Sequence, residues 1–331
     1  MSRRIYMIAV MLLLSVSIFA QAANEVPAVS EPVAAEEKMS VTIGVPTAPP
    51  ALPILHMIED NLLGDGVEIN LDIWNAPEQL IAMVQDKEHD MFAFPLTVVA
   101  KLYNKGLPVR LMNVNTWGVT YFLTTDPDFK SWGDLNGKTV YIPLQSSPPD
   151  ALTQYFLHES GLEVGKDVNV IYSSTSEVAQ LLASGKAEYA TLIEPQVTNA
   201  MTKNPAVRRA LSFESEWQRV TGTDTMIPNA GFGTTADFIA KNPEFVKDFQ
   251  KAYEESVAWV NEHPEEIGKL AEKYLGMNAG IVQKALPNMG LYFKSAEDAK
   301  PELDDFYNLL NSFDPSIIGG KLPDEGMLYN E

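Results

Sequence analysis

Short apolar runs alternate with longer amphipathic segments between residues 41 and 203. The short runs have the length and β-branched content of buried strands, whereas the longer segments repeat apolar residues as helices do when one face covers a sheet. The pattern predicts strands at Val41–Val45, Val67–Trp74, Met91–Phe94, Val109–Asn113, Thr120–Thr124, Thr139–Ile142, Val168–Tyr172 and Tyr189–Ile193. It predicts helices at Ala51–Asn61, Pro77–Asp86, Val98–Lys105, Asp150–Ser160, Glu177–Ser184 and Pro195–Lys203. This alternation is typical of βαβ units, and we therefore expect an α/β fold with mainly parallel sheets.

The chain from about Pro243 onward is predicted to be nearly all helical. Each helix there begins with a proline or follows one, which suits the first turn because its backbone N–H groups have no partner within the helix. The predicted helices are Phe245–Asn261, Pro264–Leu275 and Pro301–Ser312.

Residues 1–22 have the pattern of a secretory signal peptide. Arg3 and Arg4 precede an apolar run at Ile5–Ala20, and the small residues around Gln21 suit cleavage after Ala22. An uncleaved membrane anchor is the alternative. Residues 23–40 are rich in Ala, Pro, Glu and Val without periodicity, which predicts a flexible acidic linker. We therefore expect a secreted, periplasmic protein.

The charge and the cysteine content narrow the class of protein further. Lys and Arg number 24 against 44 Asp and Glu, a net charge of −20, which makes nucleic acid a poor partner. Cysteine is absent, which rules out disulfides, thiolate metal sites, cysteine nucleophiles and a lipid-modified cysteine after the signal peptide. The protein is therefore expected to have no lipid anchor and to be stabilised by ordinary core burial.

The residues that could carry catalysis are scattered along the chain. His56, His89, His158 and His263 form no pair at metal-ligand spacing and stand in no recognisable Ser-His-Asp motif. A glycine-rich phosphate loop is also missing from the sequence. We expect no metal site, no cofactor and no enzymatic activity.

Four stretches carry a family signature. They are Ser131–Pro143 (SWGDLNGKTVYIP), Gly161–Val170 (GLEVGKDVNV), Leu181–Pro195 (LLASGKAEYATLIEP) and the helical region Phe238–Leu275. The first three resemble the second lobe of periplasmic solute-binding proteins of the nitrate, sulfonate, taurine and thiamine-pyrimidine ABC importer group (NMT1/SsuA-like). The fourth is similar to the C-terminal helical region of that group, so the resemblance covers most of residues 41–275 in order.

The resemblance implies the type II periplasmic binding fold, in which two doubly wound α/β lobes are joined by a two-segment hinge. The crossings are expected near Thr116–Thr120 and Ile227–Phe238. Lobe 1 then comprises residues 41–117 plus 236–331, and lobe 2 comprises residues 118–235. The implied function is that of a monomeric substrate-binding component of an ABC importer, which captures a small polar organic solute between its lobes and delivers it to the membrane permease.

Two other functions stay open at this point. A ligand-sensing module that reports to a membrane receptor would have the same sequence pattern, because docking surfaces leave no motif. A pyrimidine-synthesising enzyme shares the resembled fold, but it works in the cytoplasm and has a cysteine-rich segment that this chain lacks.

Seven residues are candidate solute contacts, because ligands of open parallel sheets bind beyond the carboxyl ends of strands. Hydroxyls, a carboxylate and large rings occupy these positions, and each could instead cap a helix or pack in the core. The candidates are Thr47, Trp74, Phe94, Trp117, Ser146, Ser147 and Glu194. Glu194 is expected to accept hydrogen bonds from an amine or a ring N–H of the solute.

The sequence favours a neutral or amine-bearing solute over a strongly charged anion. Pro148 and Pro149 remove two backbone donors from a helix N-terminus, and Asp150 adds negative charge there, although both prolines also suit a helix start. Arg110 lies near the start of a predicted strand, at the end away from the expected cleft, so no arginine clamp is expected. The identity of the solute among sulfonates, taurine, nitrate and thiamine-pyrimidine precursors stays open.

Overall fold

The structure is a computed structural model that describes residues 38–330. The predicted signal peptide and nearly all of the predicted linker lie outside the described residues. The strands are β1 Met39–Val45, β2 Val67–Ile73, β3 Met91–Pro95, β4 Val109–Leu111, β5 Asn113–Trp117, β6 Thr120–Thr124, β7 Thr139–Pro143, β8 Asn169–Ser173, β9 Tyr189–Ile193, β10 Arg208–Ser212, β11 Pro228–Thr235 and β12 Leu291–Ser295. The helices are α1 Leu52–Glu59, α2 Pro77–Asp86, α3 Leu96–Asn104, α4 Pro148–Glu159, α5 Thr175–Ala183, α6 Gln196–Lys203, α7 Phe213–Thr221, α8 Ala236–Lys241, α9 Pro243–Glu262, α10 Pro264–Leu275, α11 Ala279–Ala285 and α12 Lys300–Phe313.

The strands form two sheets, which confirms the predicted α/β class. The first sheet has the order β12-β5-β11-β3-β1-β2, with β4 paired to β11, and the second has the order β10-β6-β9-β7-β8. The prediction of mainly parallel sheets is wrong in part. Parallel pairing joins β1 to β2 and β3, and β7 to β8 and β9, whereas β11, β12, β6 and β10 pair antiparallel to their neighbours.

Strand β11 is the largest departure from the sequence prediction. Residues 228–235 were assigned to lobe 2, but they pair with β3, β4 and β5 in the first sheet. Its sequence, PNAGFGTT, has a proline and two glycines in place of the β-branched run that marks a strand, which is why the pattern missed it. Two more elements that the pattern does not predict, β10 and α7, lie between α6 and β11. The C-terminal region, predicted to be nearly all helical, also contains strand β12. At the other end, β1 begins at Met39, inside the predicted linker.

The chain crosses between the sheets in two segments that lie side by side. One crossing is residues 118–119, between β5 and β6, and the other is residues 222–227, between α7 and β11. The Gly118 N–H donates to the Ile227 carbonyl at 3.0 Å. Glu214 also contacts the second crossing, because its Oε2 accepts the Ile227 N–H at 3.1 Å. Gly118 has φ +53, and a Cβ there would lie 2.8 Å from Glu214 Oε2.

A buried polar network fixes β11 against β5 and α9. Asn113 Nδ2 donates to Gln250 Oε1 at 2.5 Å, and Gln250 Nε2 donates to the Met112 carbonyl at 2.8 Å. Asn113 Oδ1 accepts the Phe232 N–H and an Asn115 Nδ2–H, each at 3.0 Å. Each of these buried groups is satisfied, so the network holds one strand arrangement against alternatives.

We expect Gly231→Ala to destabilise the protein by about 3 kcal/mol, the upper end for overpacking a core. A Cβ at Gly231 would lie 1.9 Å from the Asn113 carbonyl oxygen, because β11 and β5 approach closely just after the register shift between Pro228 and Ala230. Gly66→Ala is the matched control, since nothing lies within 4 Å of its Cβ position. The measurement is the free energy of unfolding in urea. Equal stability of the two variants would contradict the close approach of β11 and β5.

Candidate functional site

Two helix starts that each carry a Pro-Pro pair line one cavity between the two sheets. Pro49 and Pro50 form a short 3-10 turn before α1, and Pro148 and Pro149 begin α4. The other walls come from the carboxyl ends of β1, β2, β3 and β5 and the amino end of the antiparallel β11 in the first sheet, and from the carboxyl ends of β7 and β9 in the second. This inner cavity has a volume of about 60 Å³. Its lining is Pro46, Ala48, Pro49, Pro50, Trp74, Ala93, Phe94, Pro95, Thr116, Val119, Leu144, Ser147, Pro148, Pro149, Ile193, Asn229 and Ala230.

An outer cavity of about 60 Å³ adjoins the inner one. The two share Pro46, Ala48, Trp74, Leu144 and Ile193. The outer cavity adds polar residues that the inner one lacks, namely Thr47, Asn75, Ser174, Thr175, Ser176, Glu194 and Gln196. It continues into a groove of about 570 Å³ between α6 and the α10–α11 segment, with which it shares Thr47, Pro195 and Gln196. The three spaces therefore form a path that widens from the cleft toward the surface.

Three buried polar atoms on residues that line the inner cavity lack a hydrogen-bond partner among the described residues. They are Trp74 Nε1, Ser147 Oγ and Asn229 Nδ2, from residues that are 2%, 1% and 5% exposed. Leaving a buried polar group unpaired costs about 1–3 kcal/mol, so three in one place is a concentration of unfavourable free energy. A solute that pairs with them would remove that cost, which makes this cavity the candidate binding site.

The loop that presents Ser147 has an unusual backbone. Leu144 and Ser146 have φ of +55 and +66, a region that costs side-chain-bearing residues stability and that recurs at binding sites. The Ser146 N–H donates to Asp150 Oδ2 at 2.7 Å, and the Ser146 carbonyl accepts from Thr97 Oγ1 at 2.8 Å. The backbone of Ser146 therefore holds the loop, while the neighbouring Ser147 lines the cavity and its hydroxyl has no partner among the described residues.

Asp150 lies behind this loop and is engaged within the protein. Besides the Ser146 N–H, it accepts hydrogen bonds from Gln154 Nε2 at 2.8 Å and from the Tyr172 hydroxyl at 3.0 Å. Burial raises the pKa of Asp150, which these hydrogen bonds partly oppose. The side chain is not part of the cavity lining, so its role is to position the loop.

Glu194 is fully buried, and its carboxylate already has partners. Arg209 donates to Oε1, the Thr198 N–H donates to Oε2 at 3.0 Å, and the Thr198 hydroxyl donates to Oε1 at 3.1 Å. Burial raises the pKa of Glu194, while Arg209 and Thr198 act in the opposite direction. Arg209 lies on strand β10, which the apolar pattern does not predict, so its pairing with Glu194 has no signal in the sequence.

The structure brings five of the seven predicted contacts to the adjoining cavities. Trp74, Phe94 and Ser147 line the inner cavity, and Thr47 and Glu194 line the outer one. Ser146 holds the loop, and Trp117 lines neither cavity, since its indole N–H donates to the Tyr292 carbonyl at 2.6 Å. Asn229 was missed because β11 was missed. That any of these residues contacts a solute stays a prediction.

A serine, a histidine and an aspartate do meet elsewhere in the structure. His56 Nδ1 lies 2.9 Å from Ser256 Oγ, and His56 Nε2 lies 3.3 Å from Asp60 Oδ2. Ser256 is 0% exposed, so no substrate reaches its hydroxyl. Within residues 38–330, no cluster of three or more potential ligands could hold a metal ion. Over the same range, every helix is too short or too polar to cross a bilayer.

The sequence model of one family, described as NMT1/THI5 like, matches residues 64–267, about three fifths of the chain. The chain belongs to the NMT1/THI5-like family. Two curated relatives carry the name "Putative binding protein". YtlA of Bacillus subtilis is 27% identical over 42% of this chain and 39% of its own length, and BAB2_1146 of Brucella abortus is 26% identical over 64% of this chain and 65% of its own. The match therefore spans less than two thirds of either relative.

Solved structures share the fold of this NMT1/THI5-like chain. An ABC transporter protein from Parabacteroides distasonis has a TM-score of 0.75 and 21% identity, covering 89% of this chain and all of the other. The periplasmic aliphatic sulphonate binding protein SsuA from Escherichia coli has a TM-score of 0.71 and 15% identity, covering 89% of this chain and 93% of its own. These likenesses show that the chain shares its two-sheet fold with both proteins.

We expect Arg209→Met to destabilise the protein by about 3 kcal/mol at pH 7, the low end for breaking a buried pair, because Arg209 is itself 29% exposed. The pKa of Glu194 is raised above its ordinary value of 4.5, so its contribution to stability is present below pH 4.5 and is lost as the pH rises through the folded pKa. Removing Arg209 raises that pKa further. The variant should therefore lose more stability than wild type between pH 5 and pH 7.

The measurement is the free energy of unfolding at both pH values. The matched control is the double variant Glu194→Gln with Arg209→Met, which removes both charges and should recover most of the loss at pH 7. A single variant with the same pH profile as wild type would show that Glu194 does not depend on Arg209.

Proposed function

We propose that this protein is the substrate-binding component of an ABC importer. It captures a small organic solute between two lobes in the periplasm and delivers it to the membrane permease, performing no chemistry of its own. One lobe contains the first sheet and the other contains the second, with residues 118–119 and 222–227 as the hinge. The export signal at residues 1–22 directs it there, and the absence of cysteine means that no lipid is attached.

The observation that carries the proposal is the inner cavity with walls from both sheets, next to two adjacent crossing segments. Rotation of one sheet against the other about those crossings would open the cavity and close it again. The unpaired atoms come from both sides, since Ser147 follows β7 of the second sheet and Asn229 lies on β11 of the first. A solute that bonds to both at once interacts better with the closed arrangement than with the open one, as a shift toward closure requires.

Family membership and the fold support the same function. The Escherichia coli neighbour is named as a sulphonate binding protein, and a Synechocystis neighbour, with a TM-score of 0.62, is named as a periplasmic nitrate-binding protein. Both names describe capture of a small solute and neither describes an enzyme.

The experiment uses mature protein, residues 23–331, purified from a periplasmic extract, with bound small molecules identified by mass spectrometry. Protein stripped by unfolding and refolding should be stabilised by about 4 kcal/mol when the identified solute is added at about 1,000 times its Kd. Its radius of gyration in small-angle scattering should fall at the same time, because the lobes close. The permease, reconstituted in vesicles, should then take up the solute only in the presence of this protein.

Two variants separate binding in the cavity from binding elsewhere. Ser147→Ala should lower the affinity for the solute about tenfold, since it removes one hydrogen bond. Thr120→Val is the matched control: Thr120 Oγ1 is also buried without a partner among the described residues, but it lines neither cavity. No compaction and no uptake with a tightly bound solute would contradict the proposal.

A further inference from the structure

The unpaired atoms of the inner cavity are mostly donors, and this limits what the proposed solute can present to them. The Trp74 indole N–H and the Asn229 Nδ2–H₂ can only donate, while the Ser147 hydroxyl can donate or accept. All three belong to residues at most 5% exposed and lack partners among the described residues. The solute group that faces them must therefore be an acceptor. An ammonium group would leave the Trp74 and Asn229 N–H donors unpaired.

The inner cavity has no charge to offer an anion. Among the described residues that line it, none is ionisable. Glu194, in the outer cavity, is paired with Arg209. The prolines at both helix starts also remove backbone donors that would otherwise compensate a negative charge. A sulfonate has three oxygens and a full charge. Three donors in an apolar cavity would not compensate the free energy that it loses when it leaves water.

The remaining walls are apolar and suit a solute with an apolar body. Trp74 follows β2 and Phe94 lies in β3 of the first sheet, whereas Val119 lies in the first crossing and Ile193 in β9 of the second sheet. Such walls gain free energy from apolar area on the solute and none from its charge.

Building on the proposed function, we infer that the inner cavity selects an uncharged, largely apolar solute, whose acceptor oxygens bond to Trp74, Ser147 and Asn229. The selection is against both the amine that Glu194 was expected to bind and the sulfonate that the E. coli neighbour is named for. Sulfone, amide and ester oxygens are acceptors of this uncharged kind.

Matched probes separate charge from shape. Methyl phenyl sulfone and benzenesulfonate share a ring and two sulfur-bound oxygens and differ in a methyl group against a charged oxygen. Dimethyl sulfone and methanesulfonate differ in the same way and are smaller. Benzylamine is the cationic probe, with a phenyl ring like that of methyl phenyl sulfone. Affinities are measured by calorimetry on stripped mature protein at 0.15 M salt.

In at least one pair, the sulfone should bind at least tenfold more tightly than its sulfonate, and methyl phenyl sulfone should bind at least tenfold more tightly than benzylamine. Asn229→Leu should lower, at least tenfold, the affinity for the sulfone that binds, while Thr120→Val should leave this affinity unchanged. Asn229→Asp replaces the donor amide by a carboxylate. It should lower the affinity for the sulfone and reduce the ratio of sulfone affinity to benzylamine affinity.

Sulfonates that equal or exceed their sulfones in both pairs overturn the inference, and so does failure of both sulfones to bind. Either result leaves the proposed function to be judged by lobe closure and uptake with the solute identified by mass spectrometry. A sulfone affinity unchanged by Asn229→Leu would place binding elsewhere and would also overturn the inference.

Discussion

Strand β11 pairs with β3 on one side and with β4 and β5 on the other, and the position of the cavity depends on this pairing. The strand returns the chain from the second sheet to the first, so it ends the second crossing next to the first one. It also places Asn229 at the cleft edge. The close approach at Gly231 and the network through Asn113 and Gln250 hold it there. A slip of this strand would move the cavity wall and the hinge together.

The electrostatics of the cleft follow a simple division between paired charges and unpaired donors. Glu194 is neutralised by Arg209, and Asp150 is surrounded by donors that hold the loop. The unpaired atoms on residues of the inner cavity, Trp74 Nε1, Ser147 Oγ and Asn229 Nδ2, are uncharged and belong to an apolar lining. The protein therefore stores unfavourable free energy at the cleft that a suitable solute can release, which favours closure on that solute over closure on water.

Much of the fold could be predicted from sequence because its local signals are strong. The bounds of α2, α10, β6 and β9 coincide with the pattern, since apolar periodicity and prolines mark them. β11 could not be found, because its glycines are required by neighbouring backbone rather than by its own propensity. The Glu194–Arg209 pair depends on antiparallel pairing between β6 and both β9 and β10, which leaves no local sequence signal. Trp74 and Trp117 are both predicted solute contacts near strand ends. The structure distinguishes them, because the Trp117 indole N–H donates to the Tyr292 carbonyl, whereas that of Trp74 has no partner among the described residues.

The central claim is that the Trp74 indole N–H is unpaired until a solute bonds to it. Proton–nitrogen correlation spectra of the five tryptophan indoles test this most directly. The Trp74 signal, assigned from its loss in Trp74→Phe, should move downfield when the solute that co-purifies is added back, while that of Trp117, already bonded to Tyr292, should stay in place. A Trp74 signal that does not move at saturating solute would contradict the account.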